Sequence, residues 1–220
     1  MDVVTYALTK KLTEFPLINE IENGDFSNGY IGWAAIGIGC TLSVACNTLY
    51  VTGNGGAASV TSFQHITTPF EVGKKYYMKC KMRVTNSLCT RVAIVVQLPG
   101  KAHLVVAQGS PMENNWYDLS GILEGTINGN GEIRLNHLYN TTTDANGAVM
   151  ECQYVLAINL TETFGVGNEP TAEEMDELLS YFPESWFDGK QNLPGKWVMT
   201  YLLNQVRDIK TAVVGLGGTV

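Results

Sequence analysis

A strict two-residue alternation in Tyr76-Tyr77-Met78-Lys79-Cys80-Lys81-Met82-Arg83-Val84 restricts the architecture of this 220-residue chain more than any other feature. Its even-numbered positions are apolar and its odd-numbered ones mostly charged. A strand places successive side chains on opposite sides, so this segment has one dry face and one wet face, the signature of an antiparallel sheet. The same period returns at Met150, Cys152, Tyr154, Leu156, Ile158 and Leu160, set against Glu151, Gln153 and Asn159. Further strands are predicted over 47–52, 57–66, 91–98, 102–108, 116–123 and 131–139, separated by turns such as Asn54-Gly55-Gly56 and Asn128-Gly129-Asn130-Gly131. No βαβ rhythm interrupts them. The expected fold is mainly β: an antiparallel two-sheet sandwich of jelly-roll type.

Composition agrees. Charged residues are 16% of the chain while glycine reaches 23 residues, a balance of turn-rich β proteins. A formal net charge of −7 with no basic cluster opposes backbone-driven contact with nucleic acid, which needs lysines and arginines on phosphates. No apolar run approaches the roughly 20 residues that cross a bilayer, and no signal-peptide core is evident, so a protein made in the cytoplasm and without membrane partners is expected. The five cysteines, Cys40, Cys46, Cys80, Cys89 and Cys152, are odd in number and scattered, which excludes a full disulfide framework within one chain. Cys80 and Cys152 fall on the apolar side of their strands and read as buried thiols. His65, His103 and His137 sit near none of them at zinc-ligand spacing.

The grammar changes at Phe164-Gly165-Val166-Gly167-Asn168-Glu169-Pro170, a loop too rich in glycine and proline to stay in a sheet. Thr171 and Glu174 then form a capping box, Met175, Leu178, Leu179 and Phe182 give a short helix an apolar side, and Pro183 stops it. Trp186 and Phe187 follow in a turn, read as an anchor on the sandwich edge, with an exposed binding platform as the alternative. At the N-terminal end, residues 4–15 can form a helix with Val4, Leu8, Leu12 and Phe15 on one side. Near the C-terminus Met199, Leu202, Val206, Ile209, Val213 and Leu216 recur with heptad spacing, which predicts a coiled-coil seam and an oligomer; a helix folded back on its own subunit is the rival reading. The spacing fits a dimer and leaves a trimer open. The expected organisation is a helical attachment over 1–18, a sandwich over 19–163, a loop, capped helix and aromatic turn over 164–196, and the coiled coil with a glycine-rich end over 197–220.

Two stretches resemble known families. Glu22-Asn23-Gly24-Asp25-Phe26-Ser27-Asn28-Gly29, with Trp33 beyond it, resembles the opening motif of carbohydrate-binding jelly rolls of families 4, 9 and 22, and Trp116-Tyr117-Asp118-Leu119-Ser120-Gly121 resembles their late strand. The stretch 158–171, together with Trp186-Phe187-Asp188-Gly189, is similar to a segment of tail, head-fibre and other structural proteins of tailed bacteriophages, as is the opening Val4–Lys11. The implied role is a virion appendage or decoration component, homo-oligomeric and most often trimeric, in contact with other virion proteins and displaying a glycan-binding jelly roll. The alternative is a carbohydrate-binding adhesin module that contacts the host surface as its main role.

The jelly-roll resemblance also implies a structural calcium, and no other cofactor. Glu22, Asp25 and Glu151 occupy the positions that would supply its oxygens; alternatively Asp25 caps the Asn23-Gly24 turn and Glu151 is the wet face of its strand. Glycan recognition in such folds rests on an exposed ring stacked on a sugar face, with amides and acids turned to the hydroxyls. Tyr77 by strand phase, Gln97 and Arg134 by polar position within strands, and Tyr139 are the candidates, with plain sheet packing as the alternative for each. No catalytic constellation stands out. There is no Gly-x-Ser-x-Gly elbow, His-Glu-x-x-His or phosphate loop, and nothing pairs Asp118 or Glu132 with a second carboxylate, as glycoside cleavage requires. A non-enzymatic role is expected.

Overall fold

A computed structural model describes residues 16–36, 39–65, 69–98, 100 and 102–194. The chain divides into two compact units, residues 18–189 and residues 1–17 with 190–220. The expected N-terminal helix over 4–15 and the seam from Met199 to Leu216 lie outside the described residues. Among the described residues the helices fall between 142 and 185, and none is long and apolar enough to cross a membrane.

Among the described residues twelve strands run in the order β1 (Leu17–Ile18), β2 (Ala34–Ala35), β3 (Cys40–Ala45), β4 (Thr48–Gly53), β5 (Ser59–His65), β6 (Lys75–Val84), β7 (Arg91–Gln97), β8 (Leu104–Gly109), β9 (Tyr117–Glu124), β10 (Glu132–Leu138), β11 (Val149–Asn159) and β12 (Lys190–Gln191). Helices α1 (Thr142–Ala145), α2 (Leu160–Phe164) and α3 (Ala172–Leu179) come late, with a 3₁₀ turn at Pro183–Ser185. Ten strands form two five-stranded antiparallel sheets, the first ordered β2-β5-β10-β7-β8 and the second β3-β4-β11-β6-β9. The expected antiparallel sandwich is what forms. The Asn54-Gly55-Gly56 and Asn128–Gly131 turns carry the chain from the second sheet to the first, whereas the β3–β4 hairpin turns on Cys46 and Asn47, both with positive φ (48° and 55°).

Apolar side chains from both sheets meet in one core. Met78, Cys80, Met82 and Val84 of β6 and Met150 and Cys152 of β11 face Val92, Ile94 and Val96 of β7 and Ile133 and Leu135 of β10. The cysteines are unpaired thiols; Cys40, Cys80, Cys89 and Cys152 are buried, and burial pushes the Cys80 and Cys152 thiols well up from their ordinary values.

One extra residue changes the second half of β11. The register slips between Gln153 and Leu156, and Tyr154 sits there with φ 55°, a backbone conformation costly for a bulky side chain. Val155 and Ala157 therefore join the core, and Leu156 and Ile158 turn to the outer side. This corrects the expected single apolar face running from Met150 to Leu160. Leu156 and Ile158 stay buried on the outer side, because the segment after the strand folds back over it.

That segment is built as its sequence suggests. Thr171 Oγ1 accepts the Glu174 amide at 3.2 Å and Glu174 Oε2 accepts the Thr171 amide at 2.8 Å, and Met175, Leu178 and Leu179 are fully buried beneath α3. Asp176 fastens the helix to the second sheet: Tyr77 Oη donates to it at 2.6 Å, Ser120 Oγ at 2.7 Å and Lys79 Nζ at 3.0 Å. Trp186 Nε1 donates to the Val155 carbonyl at 2.9 Å and Phe187 is buried, so the aromatic turn is an anchor. Residues 164–189 belong to the same compact unit as the ten strands of the two five-stranded sheets.

Candidate functional site

The outer face of the first sheet gathers a set of amide, guanidinium and hydroxyl groups. Register fixes its rows. Thr61 of β5, Asn136 of β10, Ala93 of β7 and Gln108 of β8 lie side by side, and Phe63, Arg134, Val95 and Val105 form the next row. Glu132 stands beside Gln97 at one end and Leu138 beside Arg91 at the other. Ala93 and Val95 are buried yet stand apart from the core cluster, while Ala34, His103, Val105 and Gln108 around them are exposed. A buried floor of small side chains inside an exposed rim of mixed polarity makes a trough.

Asn136 is the centre of this trough. Its Nδ2 donates to Ser59 Oγ at 2.6 Å and Thr61 Oγ1 at 2.8 Å, while its Oδ1 is buried without a hydrogen-bond partner. Turning the amide over would let both hydroxyls donate to Oδ1 and leave Nδ2 unmatched, so one polar end stays open either way. Such a group costs about 1–3 kcal/mol unless something meets it. Arg91 repeats the pattern: its Nη1 reaches Gln108 Oε1 at 3.4 Å and its Nε is buried without a partner. Arg134 donates through Nε (2.9 Å) and Nη2 (2.7 Å) to Glu132 Oε2, and its Nη1 is 3.0 Å from His103 Nε2.

Two of the four glycan candidates, Gln97 and Arg134, are brought together on this face. The other two are not. Tyr77 points outward, as its phase requires, but from the second sheet and beneath α3, where it is fully buried; burial, with the Asp176 carboxylate beside it, raises its phenol far above the ordinary value. Tyr139 lies in the core with its Oη 2.9 Å from His137 Nδ1, and burial raises its pKa as well. His137 itself is pushed down to about 3 by burial.

The calcium set is not assembled. Among the described residues no three His, Cys, Asp or Glu side chains are grouped to hold a metal. Glu151 is buried and receives Arg83 Nη2 at 2.5 Å. Asp25 Oδ1 accepts the Ser27 amide at 3.1 Å and hydroxyl at 2.9 Å, which caps the turn that Asp25 itself begins and not the Asn23-Gly24 turn. Glu22 is exposed, with its backbone N–H and carbonyl held by the Gln64 side chain at 2.9 and 2.7 Å. The opening motif is structural in the same way: Asn23 bonds the Gly29 and Ile31 carbonyls and the Asn28 amide, and Phe26 packs on Trp33 at 5.4 Å.

No protein-family model matches the chain, and no curated protein matches it. Among solved structures it is similar to an arabinose-bound GH51 α-L-arabinofuranosidase, with TM-score 0.53 and 14% identity over 74% of this chain and 30% of that one. It is also similar to the CBM22-2 xylan-binding domain of Xyn10C from Paenibacillus barcinonensis (TM-score 0.48, 11% identity, 62% of this chain and 97% of that one). A family 29 carbohydrate-binding module gives TM-score 0.42 at 18% identity over 66% of this chain and 88% of that one. The chain thus spans less than a third of the arabinofuranosidase, and the likeness shows the β-sandwich fold. The arabinofuranosidase that shares the fold is a carbohydrate-active protein and not a phage structural protein, and the expected role as a virion appendage component is corrected accordingly. The stretch that carried that expectation, residues 158–171 with 186–189, serves inside this unit to cap α3 and close the second sheet.

Proposed function

We propose that this chain is a carbohydrate-binding module with an adhesin-like role, which holds a surface glycan against the outer face of the first sheet and does not cleave it. The unmatched amide of Asn136 on the floor of that trough carries the reading. A sugar hydroxyl both donates and accepts, so it satisfies the open end of Asn136 in either orientation. Amides and guanidinium groups at Gln97, Gln108, Arg91 and Arg134 supply further directed bonds, and Phe63 supplies apolar surface for a sugar face. The likeness to proteins that bind arabinose or xylan agrees with this chemistry.

Turnover finds no support in the strands of the trough. Glycoside hydrolysis uses two carboxylates across the scissile bond, and the five strands of this sheet carry one, Glu132, engaged by Arg134.

A glycan array followed by titration calorimetry tests the reading. Asn136→Ala is expected to weaken the best ligand about tenfold, the loss of a single well-made hydrogen bond in a desolvated site, with no shortened sugars released. Unchanged affinity in Asn136→Ala and in Arg134→Ala, with folding intact, would refute the placement of the site.

A further inference from the structure

The two guanidinium groups on the outer face of the first sheet differ in how their charge is met. Arg134 is matched, since Glu132 Oε2 accepts from its Nε at 2.9 Å and from its Nη2 at 2.7 Å. Arg91, at the other end of the face, is not. Its acceptor is the neutral Gln108 Oε1, at 3.4 Å, and its Nε is buried without a partner. Among the described residues no carboxylate forms an ion pair with it. Glu113, in the loop after β8, stays unpaired, and Asp144 is held by the Thr141 amide in the capping box of α1. Arginine stays charged at any working pH and carries five N–H donors, so all but one of these lack a protein acceptor.

Register brings this charge to the floor of the trough. Gln108 and Asn136 flank Ala93 in a single row. Arg91 lies two residues before Ala93 on β7, and in reaching Gln108 its side chain leans toward that row. Two strand intervals, about 10 Å at the backbone, separate Gln108 from Asn136, and the residue between them contributes one methyl group. A partly exposed cation with spare donors thus stands on one side of Ala93, and a buried amide with one open end stands on the other.

Both openings call for the same ligand group. When Ser59 and Thr61 donate to Asn136 Oδ1, Nδ2 is left as a free donor, and the free groups of Arg91 are donors in every state. A sugar hydroxyl meets Asn136 but leaves the Arg91 charge unmatched. A carboxylate, which only accepts, meets both and neutralises the charge.

We propose that the glycan held in the trough is acidic, with a uronic acid residue over Ala93 whose carboxylate accepts from Arg91 on one side and from Asn136 on the other. Arg91 then separates acidic from neutral glycans, whereas Asn136 serves both. The inference deepens the reading of the trough as a glycan site and rests on it.

Calorimetric titration of the full chain with a galacturonate hexasaccharide, its fully methyl-esterified form and a xylose hexasaccharide tests it. Acid and ester share one skeleton and differ in charge. Wild type is expected to bind the acid about tenfold or more tightly than the ester, with the advantage shrinking as salt rises from about 0.05 to about 0.5 M. Arg91→Gln is expected to remove that advantage and leave ester binding unchanged, while Asn136→Ala weakens both. Equal binding of acid and ester by wild type overturns the inference, and this comparison needs no variant should Arg91→Gln melt early. An acid advantage that survives Arg91→Gln overturns it as well. If ester or xylose binding then still falls in Asn136→Ala, the trough stands as a site for neutral glycans. If the acid advantage disappears in Arg91→Gln while Asn136→Ala changes nothing, the acid binds outside the row, and the inference and the trough fall together.

Discussion

Replacing Asp176 by alanine removes the acceptor that fastens α3 to the second sheet. Three donors lose their partner at once: the fully buried Tyr77 hydroxyl, Ser120 Oγ, and the Lys79 ammonium, whose side chain is 12% exposed. An unmatched buried hydroxyl costs about 1–3 kcal/mol. Breaking a buried ion pair from one side costs about 3–5 kcal/mol, but Asp176 is 38% exposed and water can reach Lys79 once it is gone, so the pair lies below that range. Together the loss is about 3–4 kcal/mol, enough to lower the melting temperature of a unit of this size by about 10 °C.

The pH dependence carries the same signature. Burial alone would raise the Asp176 carboxyl, but hydrogen bonds from Tyr77, Ser120 and Lys79 outweigh it and hold the group below its ordinary value. A carboxyl with a lowered folded pKa stabilises the fold above its unfolded pKa, and that contribution is lost as pH falls through the folded value. Wild type and Asp176→Ala should differ most at neutral pH and converge in acid. Thermal unfolding followed by circular dichroism, with Tyr77→Phe completing a double-mutant cycle, measures both effects. A melting temperature for Asp176→Ala within about 1 °C of wild type, or no coupling to Tyr77, would refute the argument that this carboxylate holds the helix down.

Two more changes test the interior. His137, fully buried and pushed down to about 3 from an ordinary 6.5, must charge on unfolding, so stability should fall by about 1.4 kcal/mol per pH unit between those values as acid is added; His137→Gln should flatten that limb of the stability curve, and parallel curves would count against it. Gly24→Ala would put a Cβ 2.1 Å from the Val155 carbonyl oxygen, a backbone atom that cannot rotate away, and should cost about 2–3 kcal/mol in urea unfolding, with equal midpoints as the contrary result.

The sandwich was legible because β6 and the first half of β11 alternate cleanly, and the capping box at Thr171 and Glu174 marked α3 for the same local reason. Faces were harder to read where polar groups turn inward. In β5, Val60, Ser62 and Gln64 face the core and Thr61 and Phe63 face out, against a simple apolar-in rule. Gln64 is accommodated because its amide holds both backbone groups of Glu22, a partner 42 residues away that no local pattern announces. Asn136 was overlooked for the same reason: its neighbours Thr61 and Ala93 come from other strands, and only register shows that they share a row. Gln97 and Arg134 could be nominated from the sequence because a polar residue inside an apolar strand is visible on its own.

Tyr77 was misjudged through a cause that lies far from it in sequence. Its direction followed from strand phase, but its exposure depended on whether anything covers that half of the second sheet, and the cover is recruited by one inserted residue in β11. Without the slip at Tyr154, Leu156 and Ile158 would face the core and the outer side would have no apolar surface for Met175, Leu178 and Leu179 to pack against. With it, that surface exists, α3 settles on it, and Tyr77 becomes part of a packed seam. The slip also sets the limit of the cover: residues 151–153, before it, keep Glu151 and Gln153 on the outer side, in the half that carries Arg83, Lys81 and Trp116. A single bulge thus determines which part of the second sheet is closed by its own chain and which part stays outside that cover.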